Sequence, residues 1–380
     1  MSARVRFTAA TIAAFASGPA SPPQPALPLR EAWKVDGSES PFLAPRALVV
    51  TARCDVVIAD ASSGVFRMPC AGGTPARVTA VGDAPGALAQ PWLLAALPGD
   101  SVAVYDRALS SVIATDRTGA LGSGRALPRP TIASEITTFA YAGNVRVFST
   151  SYPNAVDPTS LQSYVLACNA RGACADTLAT FDGIPAVYWG SGFAGTRIPL
   201  PHPRRAVVVF IADGGFVTGY TAADRLIVHD ARGNVVRTLT LGLAAAAPLT
   251  KPDRDAYMDS VRVATRVELD SLHYNSADRD LYRRQIDTYL NEDVAFPATR
   301  QRYDRLVLDA DTKRVWVQLP GADKTYARTW EIHSLADGAL ERRVTVPHKG
   351  AVVDAVARDG ALYVIERALG GKPRVVKYAP

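Results

Sequence analysis

A unit of four short apolar strands, joined by tight polar turns, recurs along the chain and constrains its fold more than any single motif. The fourth copy is the easiest to read. Ala206 to Ile211 is an apolar run, and Asp213-Gly214-Gly215 is a turn into Phe216 to Tyr220. Arg225 to His229 follows, and Asp230-Ala231-Arg232-Gly233 turns the chain into Val235 to Leu241. Runs this short, rich in Val, Leu and Tyr and closed by Gly turns, read as strands. Repetition at a fixed period points to stacked or radial units rather than one mixed domain.

The other copies follow the same order. The first has Ala47 to Thr51, Asp55 to Ala59, Val65 to Met68 and Ala76 to Ala80, and the second Trp92 to Leu97, Ser101 to Tyr105, Ser111 to Thr115 and Ala120 to Leu127. The third has Thr137 to Tyr141, Val145 to Thr150, Ser163 to Cys168 and Ala173 to Phe181, and the fifth Arg305 to Asp309, Arg314 to Leu319, Arg328 to His333 and Ala339 to Val346. The glycines of the third turn, Gly73, Gly119, Gly172, Gly233 and Gly338, fall 46, 53, 61 and 105 residues apart. Removing an insertion of about 55 residues from the last gap restores the roughly 40–50 residues of a four-stranded blade. Asp116, Asn169 and Asp230 each stand three residues before such a glycine. There the side chain can bond its own turn and Gly can take positive φ.

The sixth copy stops after three strands, Ala351 to Ala357, Ala361 to Glu366 and Pro373 to Tyr378. Glu31 to Val35, which includes Trp33, has no hairpin partner at the other end of the chain. Pairing the two leaves no open edges. The chain is therefore expected to be an all-β, six-bladed β-propeller with four-stranded blades. Its N-terminal strand closes the last blade, and a helical insertion stands between blades four and five. In strand order, blade length and Asp-x-x-Gly turns, residues 30 to 380 resemble the six-bladed propellers of the NHL/TolB-like group. That resemblance is architectural and implies no one activity, since the group includes ligand-binding, protein-binding and enzymatic members.

Residues 1–20 read as a signal peptide or leader. Arg4 and Arg6 precede the apolar Phe7 to Ala16, and Ala14-Phe15-Ala16 has the small-x-small form of a cleavage site. A Pro-rich linker over 21–30 leads into the propeller, 31–380. Cys54 and Cys70 bracket one predicted hairpin, and Cys168 and Cys174 another around Gly172. Four cysteines so paired predict two local disulfides and an oxidising compartment, periplasmic or secreted. No apolar run approaches the ~20 residues of a membrane span. A net charge of +6, spread along the chain, fits a small anionic ligand or an ordinary soluble surface. Clustered Lys/Arg with interleaved aromatics are missing, so nucleic acid is not an expected partner. The expected state is a monomer.

Every long connection is expected on one side of the ring: Ser151 to Gln162, Asp182 to Arg204, Gly242 to Gln301 and Pro320 to Ala327. The opposite turns are tight, as at Pro98-Gly99-Asp100 and Asp359-Gly360. Long loops on one side of a rigid scaffold are where binding resides. The insertion, about 250–296, reads as two helices. Thr250 is the N-cap of the first, with Asp253 three residues on, and the second starts near Ser276. It could be a lid, a docking surface or a structural ornament on the rim.

No Gly-x-Ser-x-Gly, His-Glu-x-x-His, P-loop or dinucleotide fingerprint is present. The five histidines show no ligand spacing. His229 and His333 end third strands, where packing or capping is the plain reading. His202, Arg204, Arg205, Arg300, Arg302, His348 and Lys349 stand just ahead of first strands and could form a positive funnel at the channel mouth, with Trp92, Trp189 and Tyr326 as aromatic walls. They could equally be solvated loop side chains. Asn154, Asp157, Glu135 and Asp106 are raw material for the Glu/Asn/Asp set that calcium-dependent propeller lactonases place at the mouth, but do not match that pattern. No cofactor is predicted, although a channel-mouth Ca ion would fit such a set. Two functions follow. The first is an exported, non-enzymatic binding or scaffold propeller holding a ligand or protein partner. The second is a metal-dependent hydrolase or lyase of the lactonase or streptogramin-lyase type.

Overall fold

The computed structural model describes residues 25–380 apart from 37–40, 85–86, 128–133, 143, 152–161, 170–172, 175, 185, 190–195, 200–203, 272–275, 292–295, 310–312, 322–325 and 369–370. The expected leader and Gly172 lie outside the described residues. The chain forms six four-stranded antiparallel blades. Their first strands are Pro45–Val50, Pro91–Ala96, Ser134–Ala142, Ala206–Phe210, Arg305–Leu308 and Ala351–Arg358. Each touches the first strand of the next blade, and the sixth returns to the first. The ring is closed around a central channel.

Period-two alternation explains how the ring is glued. In the first strand of blade one, Leu48 and Val50 pack toward blade six, while Ala47 and Val49 pack toward blade two. Every blade presents two apolar faces in this way, and each of the six junctions has its own buried cluster. Burying one Val or Leu contributes about 1.5–3 kcal/mol, and between five and thirteen buried side chains hold each junction.

The turn glycines have a second role beyond positive φ. Gly119, Gly233 and Gly338 have φ of +91°, +85° and +81°. A Cβ on Gly233 would lie 2.7 Å from the Leu178 carbonyl oxygen, and one on Gly338 would lie 2.8 Å from that of Thr240. Both carbonyls belong to the outer strand of the preceding blade, as does that of Val78 beside Gly119. The periodic glycine is therefore a contact between blades as well as a turn.

Arg30–Val35 pairs antiparallel with Pro373–Ala379 and supplies the fourth strand of blade six. Leu27–Pro28, within the segment expected as linker, adds a short parallel fifth strand to blade five, and Leu29 is buried beside it. Two disulfides, Cys54–Cys70 and Cys168–Cys174, clamp the hairpins of blades one and three. Between blades three and four a small hairpin pairs Ala186–Trp189 with Thr196–Pro199.

The insertion comprises two helices, Lys251–Ser271 and Ser276–Asn291. It rises from a stem in which Leu249 N–H donates to the Ala298 carbonyl and Arg300 N–H to that of Ala247. Asp253 accepts the Thr250 N–H at 2.8 Å, the backward half of a capping box. Among the described residues no helix is long and apolar enough to cross a membrane.

Candidate channel-mouth site

The face where first strands begin is built on three equivalent carboxylates. Asp60, Asp106 and Glu366 end the second strands of blades one and two and nearly end that of blade six, and all are fully buried. Asp60 accepts N–H bonds from Leu43, Ala44, Ser62 and Ser63, and Asp106 accepts them from Ala89, Gln90 and Leu109. Glu366 accepts the Lys349 N–H at 3.0 Å. Each therefore ties the segment leading into the first strand to its own blade. Both oxygens of Asp106 are thus engaged by backbone N–H groups.

Just inside these anchors the first strands of blades one, two, three and six carry a bulge, at Arg46, Trp92, Thr137 and Val353. A bulge re-aims the extra side chain. In blades one and two it brings Arg46 onto Trp92, with the guanidinium carbon 4.3 Å from the ring centroid. Arg107, directly after Asp106, stacks on the same ring at 4.4 Å. Burial, and then the charges of Arg367 and Arg107, hold the Arg46 guanidinium below its ordinary range. Glu135 lies close enough to oppose that shift. The Nε of Arg367 is shielded from solvent without a hydrogen-bond partner.

In blades five and six, Arg305 and Asp354 keep 27% and 30% of their side chains exposed, with a closest approach of 3.7 Å. Asp354 also accepts the Leu48 N–H at 2.9 Å, while Arg305 donates to the Val352 and Val353 carbonyls. Burial pushes the Asp354 carboxyl up, against Arg305 and these backbone donors. The pair links the first strands of blades five, six and one inside the channel.

The residues expected to form the funnel divide into several groups. Arg204 is exposed and donates to Thr299, and Arg205 donates to the Asp304 carbonyl. Arg300 is committed to Asp253 in the first helix, and Arg302 to the Leu243 carbonyl and Asp224. Tyr326 is 39% exposed. Lys349 is exposed, but His348 is buried. The Trp330 indole N–H donates to His348 Nε2, which leaves Nδ1 to donate to Glu366 at 2.7 Å. His348 is thus a core residue, sealed between blades five and six. His202, Asn154 and Asp157 lie outside the described residues, and only the backbone of Trp189 is described. His229 and His333 bond the carbonyls of the turn glycines Gly233 and Gly338, and His229 also stacks on Phe216, within the packing or capping role expected of them. Among the described residues, no three His, Cys, Asp or Glu side chains are placed to hold a metal ion.

Arg46, Arg107 and Arg367 were not among the expected residues. Their signal was available: Asp106-Arg107 and Glu366-Arg367 occupy the same place in their blades, with the acid turned inward and the arginine beside it at the mouth.

No protein-family profile and no curated protein matches the chain. Solved structures do. A member of the DUF4221 family from Bacteroides vulgatus superposes with a TM-score of 0.52 at 10% identity, over 92% of this chain and 97% of that one. Virginiamycin B lyase from Staphylococcus aureus matches with a TM-score of 0.42 at 10% identity, over 92% and 98%. At this identity the likeness concerns the propeller fold alone. The six-bladed propeller is the identification the chain supports.

Proposed function

We propose that the protein is an exported, non-enzymatic binding propeller that holds an anionic ligand or a protein partner at its loop-rich face. The observation that carries this reading is one-sidedness. The helical stem, the extra hairpin and the arginines around Trp92 all emerge where the first strands begin, while opposite turns such as Pro98–Asp100 are short. A rigid closed ring with elaboration and positive charge on one side suits capture rather than turnover. The two disulfides support export, because such bonds persist in oxidising compartments.

Native mass spectrometry of the full chain, with elemental metal analysis, tests the non-enzymatic part. A metal-free folded monomer is expected. A stoichiometric divalent cation whose removal abolishes hydrolysis or elimination of a lactone substrate would overturn the reading in favour of a metal-dependent hydrolase or lyase. Thiol counting on denatured, unreduced protein should find none free, and four free thiols would overturn the disulfides and with them this support for export.

A further inference from the structure

We infer that Arg46, Arg107 and Arg367 form a cradle for the oxyanion of a small ligand, a carboxylate or a phosphate, with Trp92 as the plate that positions two of the three. The inference rests on the reading of the loop-rich face as the binding face and names the chemistry that face recognises.

Three observations converge. Arg46 reaches Trp92 only because both occupy first-strand bulges, and Arg107 arrives on the same ring from the loop after the second strand of blade two. A guanidinium stacked on an indole keeps its N–H groups in its own plane, pointing past the ring edge, where a bidentate oxyanion fits. No ion pair is present for any of the three among the described residues, although the chain pairs Arg374 with Glu31 and Glu366, and Arg343 with Glu331. Finally, the Arg367 Nε is shielded without a hydrogen-bond partner, as in several other arginines of the chain, but here no ion pair stands beside it among the described residues.

Two of the nearby acids do not fill that role. Asp60 and Asp106 are occupied by backbone N–H groups, which leaves Glu135 as the nearby acid not tied to a blade-leading segment. Guanidiniums cover the Trp92 ring, so the ligand is recognised by charge at the rim of the indole and not by stacking on it.

The test is titration calorimetry on the full chain at low ionic strength, with inorganic phosphate and citrate as separate probes and tryptophan fluorescence as a second readout. At least one probe should bind one-to-one, and the stronger of the two tells which oxyanion is favoured. Arg46→Gln and Arg107→Gln should each weaken that binding about 10-fold or more, as loss of a charge-assisted bond does. Arg46→Lys should not restore it fully, because an ammonium keeps the charge but not the planar fork. Arg77→Gln, on the outer strand of blade one, should leave binding unchanged and controls for net charge. Melting temperatures of all variants should stay near wild type. If wild type binds neither probe, the cradle is overturned, while capture of a protein partner by the same face is still open to its own test. If binding survives Arg46→Gln and Arg107→Gln but is lost in Arg205→Gln, the cradle is wrong and the loop-rich face stands. Binding that survives all three changes overturns both.

Discussion

The seam that closes the ring and the mouth of the channel are built from the same residue types but resolve their charges in opposite ways. At the seam, Glu366 takes hydrogen bonds from His348, Tyr378 at 2.6 Å and the Lys349 backbone, with Arg374 at 3.3 Å. Arg374 reaches on to Glu31 at 2.7 Å and so binds the N-terminal strand to its blade. The Trp33 indole donates to the Cys70 carbonyl at 2.8 Å and carries the closure into blade one. Among the described residues each charged side chain there is paired, although the Arg374 Nε faces Glu366 without forming a hydrogen bond. At the mouth, Arg46 and Arg107 gather on Trp92, with the Arg367 charge felt by Arg46, and none of the three has an ion pair among the described residues. Buried charge that is fully partnered reads as architecture, and gathered charge without partners reads as a site.

The largest effect should come from breaking the seam. Glu366→Leu removes the shared acceptor and leaves His348, Arg374 and Tyr378 facing an apolar side chain, which costs about 3–5 kcal/mol. Chemical denaturation should show that loss, whereas a cost under 1 kcal/mol would mean that the network is not what closes the ring. Truncation sharpens the same point. Removing residues 1–24 should leave the melting temperature unchanged, but removing 1–35 strips Glu31, Trp33 and the fourth strand of blade six and should prevent cooperative folding.

The two disulfides should differ in worth. Cys54–Cys70 spans 16 residues and Cys168–Cys174 spans 6. Replacing the first pair by serine should cost about 2–4 kcal/mol, and the second less, because a shorter loop restricts the unfolded chain less. Equal losses in paired denaturation curves would point to local packing instead; Cys70 is buried at the seam and its carbonyl holds Trp33. Of similar size is Gly338→Ala, which puts a methyl group on a left-handed residue against the Thr240 carbonyl and should cost about 1–3 kcal/mol. Full stability in that variant would show that the blades can slide apart without penalty.

These contrasts also explain what could be read from the chain. Strand order and closure were legible because each depends on local signals: short apolar runs, Gly turns and a lone strand containing Trp33. The arginine site was not. Arg46 and Trp92 meet through bulges, which alternation does not announce because the extra residue merely interrupts it. His348 was misplaced for a related reason. By position it matches His202, ahead of a first strand, and only the fold brings Glu366 and Trp330 onto its two ring nitrogens. Arg300 likewise looked like part of the funnel, but it is committed to a helix start 47 residues earlier.

That last contact should give the smallest effect, and a local one. Hydrogen bonds from Arg300, then from the Thr250 backbone, hold the Asp253 carboxyl at about 2. An unfolded Asp titrates near about 3.9, so this contribution is complete above about pH 4 and disappears as pH falls toward 2. Asp253→Asn should remove that acid dependence and loosen the stem of the helical hairpin while the ring stays intact. Hydrogen exchange across Lys251–Ser271 should rise in the variant at pH 7, with the blade strands protected as before. Faster exchange in the strands of blade five as well would show that the insertion supports the ring, and would merge into one unit two regions that the structure keeps apart.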